Sequence, residues 1–308
     1  MKIIYDTDNW EGEAIVATIG FFDGVHVGHR FLLDEMRALA AERNLPSAVV
    51  TFLTHPRIVL QADYQPRLLN SFREKIYLLE QTGIDYVIIE DFNLSLAALS
   101  AREYIENVLH KELNVKCLLV GHDHRFGHLR SEGFEQYQLY GKNCGMEIVR
   151  APAFSDNGVA VSSSTVRRLI EGGNMSAATR LLGYSYCLRG YIVKGYNIGR
   201  SLGFPTANID VDGQFKIIPL NGSYAVWATI DDKRYKGMLY IGSRPTFYNG
   251  DSVSVEVNVF DFSGDLYNKY IKVELVEYIR EEMKLDSLDS LKELLQEDKI
   301  RVNEILNH

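Results

Sequence analysis

Residues 20–29 constrain this chain more than any other stretch, because they join a predicted strand to a predicted helix. Residues 14–19 are an apolar run with β-branched side chains, which predicts a buried strand. Apolar side chains recur at helical spacing over residues 31–40, which predicts a helix. Three glycines in the junction permit a tight turn, and the new helix offers free N–H groups and the positive end of its dipole. The stretch therefore predicts an anion-binding site.

Two imidazoles mark the start of this helix. His26 and His29 are three residues apart, so they share one side of the first turn and can donate to phosphate oxygens. A metal-binding pair or two surface histidines would have the same spacing. The pattern G-x-F-D-G-x-H-x-G-H fixes seven of ten positions, and this favours phosphate chemistry over both alternatives.

The same pattern resembles the HxGH signature of the nucleotidylyltransferases, in the extended form of the flavin adenylyltransferases. The resemblance implies a Rossmann-like domain that holds the phosphates of ATP over the helix, with His26 and His29 as catalytic donors. The residues that it implies in ATP binding are Gly20, Phe22, Asp23 and Gly28.

Up to about residue 183, short apolar strands alternate with amphipathic helices, which predicts an α/β fold with a parallel sheet. Buried strands are expected at residues 47–52, 86–89 and 116–121. Capping boxes of the form S-x-x-E begin two helices, at Ser71 and Ser100. Ligands of open α/β sheets collect where strands end, so His55 is a candidate for flavin or ATP binding. An ordinary loop residue is the alternative.

Two histidines flank an aspartate within residues 121–127. Consecutive polar side chains alternate in direction, which disfavours a metal site here. The stretch resembles the V-G-x-D/N-F-x-F-G motif of the flavin adenylyltransferases, and this resemblance implies that Asp123 contacts the flavin ring. His124 stands where that family usually has Phe.

A second candidate phosphate site begins a helix predicted over residues 166–171. Ser163 and Ser164 have hydroxyls that could simply cap this helix. The nearby guanidinium of Arg167 favours a phosphate clamp, because it can hold phosphate oxygens in pairs. The run resembles the I-S-S-T-x-x-R motif of the same family, which implies phosphate binding by both serines and a catalytic role for Arg167.

Helical periodicity ends near residue 184, so a domain boundary is predicted between residues 183 and 184. Five strands are expected after it, at residues 186–191, 224–230, 235–241, 253–262 and 270–278. Asp231 and Asp232 are expected to form a hairpin connection. Five or six such strands predict a small antiparallel β-barrel. The apolar repeat of residues 287–306 predicts a terminal helix that covers it.

Glycines, two cations, a hydroxyl and an amide lie together in residues 194–208. They suit phosphate and Mg²⁺ binding, although the glycines could merely shape a loop. No G-x-x-x-x-G-K-[ST] motif occurs in the chain. The segment G-R-x-L-G-F-P-T-A-N resembles the riboflavin kinase signature, which implies that Thr206 and Asn208 bind Mg²⁺. The residues that it implies in ATP binding are Gly195, Gly199, Arg200, Thr206 and Asn208.

Glu256 is the candidate general base. It alternates with Val255 and Val257, so it points away from the core if these valines face inward. An exposed strand carboxylate is the alternative. Residues 254–267 resemble a riboflavin kinase motif whose glutamate serves as general base, which implies that role here. Tyr240 stands where many members of that family have Asn, and it is given no role.

Composition limits the class of partner. A chain of 308 residues favours two domains, and a net charge of −8 argues against a nucleic-acid partner. Three cysteines, odd in number and far apart, suggest neither a disulfide framework nor a zinc site. No apolar run approaches the length of a membrane span. A cytoplasmic protein without membrane partners is expected, and its oligomeric state is left open.

Both halves together resemble the bifunctional bacterial FAD synthetases. The resemblance implies riboflavin, FMN and ATP as partners, Mg²⁺ as cofactor, and FMN and FAD as products. One alternative is an HxGH adenylyltransferase of another cofactor pathway, which the riboflavin kinase motif disfavours. Another is a flavin-binding or sensor protein without turnover. The candidate base disfavours it, because binding alone needs no base.

Overall fold

The computed structural model describes residues 1–5, 10, 12–61, 63–128, 131–156, 158–194, 203–246, 250–283 and 287–307. The chain divides into two compact units, Met1–Ser162 and Ser163–His308. The first unit alternates strands and helices, and the second consists mainly of strands. This is the change of architecture that the sequence predicts.

The first unit contains a six-stranded parallel sheet with helices between its strands. The strands are β1 (Lys2–Ile4), β2 (Ile15–Ile19), β3 (Ser47–Phe52), β4 (Tyr86–Glu90), β5 (Val115–Val120) and β6 (Glu147–Arg150). The helices are α1 (Val27–Arg43), α2 (Pro56–Leu60), α3 (Phe72–Glu80), α4 (Leu94–Ala98), α5 (Ala101–Glu103), which continues as a π-helix (Tyr104–Glu112), and α6 (Phe134–Cys144). A separate antiparallel pair is formed by β7 (Ser155–Asp156) and β8 (Val159–Ala160).

The strand order is β1-β4-β3-β2-β5-β6, and all neighbours are parallel. The predicted parallel sheet is therefore confirmed. β2, β3 and β4 are buried at every residue, as expected of strands covered on both faces. The sequence pattern missed β1 and β6, which are short, partly exposed edge strands.

Local signals determine where several helices begin and end. The predicted capping boxes at Ser71 and Ser100 are present: each hydroxyl accepts the backbone N–H of Glu74 or Glu103, and each carboxylate accepts the serine N–H. Asn44 ends α1 in the left-handed conformation, with φ of 51°. These helix termini are specified by residues within a few positions of one another.

The second unit is built around a closed six-stranded antiparallel barrel. Its strands are β9 (Cys187–Val193), β10 (Ala207–Val211), β11 (Gly222–Ile230), β12 (Lys233–Thr246), β13 (Gly250–Val259) and β14 (Tyr270–Arg280), in the order β10-β13-β12-β11-β14-β9. Its helices are α7 (Ser163–Glu171), α8 (Met175–Leu182) and α9 (Leu288–Leu306). The predicted barrel, terminal helix and hairpin turn at Asp231 and Asp232 are confirmed. The sequence pattern missed β10, which begins at the end of the stretch interpreted for its phosphate-binding residues.

Helix α9 covers part of the outer face of the barrel. The buried cluster beneath it consists of Ala225, Met238, Phe260, Val302 and Leu306. Arg280 donates from Nε and Nη2 to the two carboxylate oxygens of Asp298, at 3.0 and 2.8 Å. Because Asp298 is only 3% exposed, loss of either partner would leave a buried charge without its counterion. This pair ties α9 to the end of β14.

Helices α7 and α8 belong to the second compact unit, although the predicted domain boundary lies after them. α8 contacts β14. A Cβ at Gly173, between the two helices, would lie 3.3 Å from the ring of Tyr278 on β14. The change in sequence pattern and the change in packing thus fall at different places. The boundary between residues 183 and 184 stays a prediction.

Glu90 ends β4 with a buried carboxyl group that is 5% exposed. Tyr104 donates from its hydroxyl to Oε2 at 2.7 Å. Burial raises the pKa of Glu90 from 4.5 to about 7; Glu112 adds to the rise, and the Tyr104 hydrogen bond opposes it. Since the folded pKa lies above the unfolded one, the stabilisation from this group is complete below about pH 4.5. It is lost as the pH rises through 7.

We expect Glu90→Gln to stabilise the first unit at alkaline pH. The amide still accepts from Tyr104 but cannot ionise, so its free energy of unfolding should exceed that of the wild type by up to about 3 kcal/mol above pH ~8. The difference should disappear near pH 4.5. Denaturant titrations of both proteins across this range measure it. Glu80→Gln, at an exposed glutamate of the same unit, is the control; a difference independent of pH would contradict the interpretation.

Candidate functional site

The candidate residues of the first unit lie where the parallel strands end. β2 lies between β3 and β5, so the direction of strand order reverses between β2 and β5. Ligands of open α/β sheets bind at such a reversal. The β2–α1 turn (residues 20–26) follows one of these strands, and the loop of residues 121–127 follows the other. Two segments predicted from sequence are therefore brought to one edge of the sheet.

The backbone of the β2–α1 turn is strained. Phe22 and Val25 have φ values of 56° and 36°, and Gly24 has 86°. Positive φ is unfavourable for residues other than glycine, most of all for a β-branched residue such as Val25. The carboxylate of Asp23 accepts the N–H of Leu69 at 2.9 Å, which attaches the turn to a neighbouring loop. Strain of this kind persists only where surrounding contacts hold it.

The two histidines stack on each other in the first turn of α1. Their ring centroids are 3.6 Å apart, and the ring planes differ by 12°. His26 is the N-cap, and its Nδ1 accepts the backbone N–H of His29 at 3.2 Å. A Cβ at Gly28 would lie 3.3 Å from this Nδ1, so the glycine lets the ring approach the helix. The capping role of His26 was not predicted, and it assigns the proton of a neutral His26 to Nε2.

His29 has the properties of a neutral hydrogen-bond donor. Among the residues that the structure describes, its Nδ1 is buried and has no hydrogen-bond partner. Burial, followed by charge on His26 and His124, holds the pKa of His29 well below its usual value of 6.5. The imidazole is therefore uncharged near neutral pH. A buried polar atom without a protein partner requires an explanation, and a catalytic role is one of those that native structures offer.

The residues predicted to bind flavin lie at the same edge of the sheet. Asp123 is exposed and lines a cavity of about 260 Å³ together with His124. His55 caps α2: its Nδ1 accepts the N–H of Arg57 at 3.1 Å, and its ring lies 4.6 Å from that of Phe21. Flavin binding by Asp123 and His55 stays a prediction, as does ATP binding by the residues of the β2–α1 turn.

The second predicted phosphate clamp begins α7, in the second compact unit. Arg167 donates from Nη1 to the hydroxyl of Ser164 at 3.3 Å. The guanidinium and a hydroxyl are thus adjacent, as a clamp on phosphate oxygens requires. Phosphate binding by Ser163, Ser164 and Arg167 stays a prediction.

In the second unit, the candidate residues form a row across three strands of the barrel. The register pairs Glu256 on β13 with Asn208 on β10 and with Tyr240 on β12. Thr206, just before β10, donates from Oγ1 to Oε2 of Glu256 at 3.2 Å. The two valines beside Glu256 are buried, whereas Glu256 is partly exposed, which confirms the predicted alternation. The structure thus brings together three residues that the sequence singled out.

Part of the predicted phosphate loop lies outside the described residues, namely Gly195, Gly199 and Arg200. The described end of that loop is fixed by Asn258, which donates from Nδ2 to the carbonyl of Pro205 at 2.7 Å. Thr206 lines a cavity of about 550 Å³ together with its neighbours Pro205 and Ala207, and the facing wall comes from residues between Val259 and Tyr267. The candidate base and this cavity share Thr206 as a common neighbour.

Comparison with known proteins agrees with this pair of sites. A family model described as FAD synthetase matches residues 8–165, and one described as riboflavin kinase matches residues 182–306. The bifunctional riboflavin kinase/FMN adenylyltransferase of Escherichia coli K12 is 39% identical, over 95% of this chain and 93% of its own. The chain belongs to this bifunctional family.

Further similarity to the family extends over most of the chain. The bifunctional riboflavin kinase/FMN adenylyltransferase of Bacillus subtilis 168 is 35% identical, over 92% of this chain and 90% of its own. A crystal structure described as a macrolide-efflux protein of Streptococcus pneumoniae is 30% identical, with a TM-score of 0.88 and 98% coverage of both chains. Within the described ranges, no helix is long and apolar enough to cross a membrane.

Lys75 contacts the β2–α1 turn, and sequence reasoning missed it. It shares the buried side of α3 with Leu78 and Leu79, at positions i, i+3 and i+4. A lysine within an apolar helical stripe is the signal that could have found it. Burial lowers the pKa of Lys75 to about 7, and the carboxylate of Asp23 opposes this shift.

Tyr240 received no role from sequence, yet it lies directly beside Glu256 of the riboflavin kinase unit. Its hydroxyl donates to Oε1 of Glu282 at 2.8 Å. Burial, and then this hydrogen bond, raises the pKa of Tyr240. Tyr240 and Glu256 lie side by side because of the β12–β13 register, and the sequence pattern does not specify that register.

Proposed function

We propose that the two reactions of this family are divided between the two units. As a member of the family, the chain makes FMN from riboflavin and ATP, and it makes FAD and pyrophosphate from FMN and a second ATP. The FAD synthetase model matches residues 8–165 and the riboflavin kinase model residues 182–306. This order supports FAD formation in the first unit and FMN formation in the second.

Glu256 is the proposed general base of FMN formation. It would accept the proton of the riboflavin 5′-hydroxyl as that oxygen attacks the γ-phosphate of ATP. The hydroxyl of Thr206 donates to one carboxylate oxygen and so orients the group. This hydrogen bond of 3.2 Å is the observation that carries the proposal.

Mg²⁺ is implied by the family, and the side chains present are of the kind that it prefers. Thr206, Asn208 and Glu256 offer hydroxyl, amide and carboxylate oxygens in one neighbourhood. Mg²⁺ favours such oxygen ligands and usually combines one or two carboxylates with substrate phosphates. We assign Thr206 and Asn208 to hold it, and when bound it would offset charge on the transferred phosphoryl group.

In FAD formation, the phosphate of FMN would attack the α-phosphate of ATP and release pyrophosphate. A phosphate is already ionised near neutral pH, so this step needs positioning and charge stabilisation rather than a base. His26 and His29 would donate N–H groups to the developing charge, and phosphate binding by Ser163, Ser164 and Arg167 is a separate proposal for the second unit. The buried Nδ1 of His29, which lacks a partner among the described residues, supports a ligand at this place.

Two alternatives are less well supported. An adenylyltransferase of another cofactor pathway would have no use for a riboflavin kinase match over residues 182–306. A flavin-binding protein without turnover would not need a carboxylate oriented by Thr206. We further propose a cytoplasmic location and no nucleic-acid partner, in keeping with the net charge of −8.

The kinase unit should work when separated from the rest of the chain. A fragment of residues 184–308 should form FMN, and one of residues 163–308 should do so with a higher unfolding temperature, because α8 contacts β14. FMN formation and thermal unfolding of both fragments test this. A fragment that is folded but inactive would mean that the kinase is not self-contained.

We expect Glu256→Gln to impair only the kinase reaction. Loss of a general base typically lowers the rate by about 10² to 10⁴. Chromatography should show that decrease in FMN formation, while conversion of supplied FMN to FAD continues. Glu277→Gln, at an exposed barrel carboxylate, is the matched control. Near-normal FMN formation by Glu256→Gln would show that Glu256 is not the general base.

We expect His29→Ala to slow FAD formation mainly through the transition state. The N–H groups and dipole of α1 already hold ground-state phosphate, but they do not replace a donor to the charge that develops later. Loss of one such donor costs on the order of 3 kcal/mol, or about a hundredfold in turnover. The KM for ATP should change much less, and FMN formation should be unaffected. His110→Ala is the control, and a large rise in KM with unchanged kcat would reduce His29 to a binding role.

A further inference from the structure

The buried ammonium of Lys75 lies against the strained β2–α1 turn. Its Nζ donates to the carbonyl of Phe21 at 3.2 Å, to the hydroxyl of Thr51 at 3.2 Å and to the carbonyl of Phe52 at 2.9 Å. These acceptors belong to the turn itself and to the end of the neighbouring strand β3. An ammonium has three N–H donors, so the three acceptors use all of them. Lys75 therefore connects the turn to the sheet.

This charge is expensive to bury. Lys75 is 3% exposed, and an ammonium in such a place costs free energy unless it is well paired. The ring of Phe21 lies 4.3 Å from Nζ, and the carboxylate of Asp23, also in the turn, favours the charged form. A buried charge is often no more stabilising than a well-packed apolar side chain, so stability alone is a weak reason for a lysine on the buried stripe of α3.

We propose that Lys75 is a positioning residue for FAD formation, which holds the strained turn in the conformation that presents His26 and His29 to the phosphates. This inference rests on the proposed function, because that function places ATP over the turn. Phe22 and Val25 keep unfavourable φ values only while their surroundings enforce them. The bond from Lys75 to the carbonyl of Phe21 acts on the residue directly before this strained pair.

The test compares Lys75→Met with Lys142→Met in the full-length chain. Methionine keeps the length of the side chain and removes its three donors, and Lys142 is an exposed lysine on α6 of the same unit. Without these hydrogen bonds the turn should shift by about 1 Å, and a shift of this size should lower kcat for FAD formation about a hundredfold. The KM for ATP should change less than about fivefold, since the N–H groups of α1 remain. FMN formation by the same protein should be unchanged, as should both reactions of Lys142→Met.

NMR titration of the His29 imidazole measures whether the turn keeps its conformation. Burial among its neighbours holds its pKa well below 6.5 in the folded protein. In Lys75→Met the loosened turn should admit water, and the pKa of His29 should rise towards 6.5. A merely structural role for Lys75 would leave this titration unchanged. Wild-type FAD formation by Lys75→Met overturns the proposal, and so does a loss of FAD formation with an unchanged His29 titration.

Thr51→Val decides the question if Lys75→Met does not fold. The Thr51 hydroxyl accepts from Lys75 and donates to the carbonyl of Phe21 at 3.3 Å, so its loss should slow FAD formation about fivefold. Thr82→Val, at a second buried threonine far from the turn in sequence, is the matched control. Normal FAD formation by Thr51→Val overturns the proposal.

His29→Ala separates this inference from the function on which it rests. If His29→Ala loses FAD formation and Lys75→Met does not, the proposed site stands and the role of Lys75 is wrong. If neither variant loses it, the site and the inference both fail.

Discussion

Parallel pairing makes every strand of the six-stranded sheet deliver its chain at the same edge, and the proposed site for FAD formation depends on this. The turn after β2, the loop after β5 and His55 after β3 all reach that edge. The chain must leave β2 and enter α1 within a few residues, so it adopts positive φ at Phe22 and Val25. Backbone strain and the residues proposed to bind phosphate thus coincide in the same short segment.

The barrel of the second unit places its site differently. Its interior is filled by fully buried side chains such as Tyr224, Leu239 and Val257, which the register aligns across three strands. Polar groups with access to a substrate must therefore lie on the outer face. α9 covers one part of that face, and the row of Asn208, Glu256 and Tyr240 occupies another. Closure of the barrel therefore accounts for the position of the proposed base on the outer face.

The free-energy cost of desolvation is offset differently at three buried ionisable groups. Asp298 is neutralised by a bidentate pair with Arg280. Glu90 has a pKa raised to about 7 and accepts a hydrogen bond from Tyr104. Lys75 donates all three N–H groups to acceptors in the β2–α1 turn and at the end of β3. The first attaches α9 to β14, and the third connects the β2–α1 turn to the end of β3.

The sequence by itself determined the features that depend on near neighbours in the chain. Buried strands such as β3, the capping boxes at Ser71 and Ser100, and the terminal helix follow from apolar periodicity and local hydrogen bonds. The positions of His26, His29 and Glu256 followed from motifs, because phosphate chemistry requires particular side chains at close spacing. The edge strands β1 and β6 were not predicted, because short, partly exposed strands lack a strong pattern of apolar residues.

Only the tertiary structure decided the contacts between distant parts of the chain. Thr206 and Glu256 are 50 residues apart and meet because β10 pairs with β13. Lys75 reaches the carbonyl of Phe21 from 54 residues away because the buried side of α3 lies against the end of β3. α7 and α8 joined the second unit although the sequence pattern grouped them with the first. Strand register and helix packing set these contacts. Register and packing depend on the burial of whole surfaces rather than on the periodicity of any one segment.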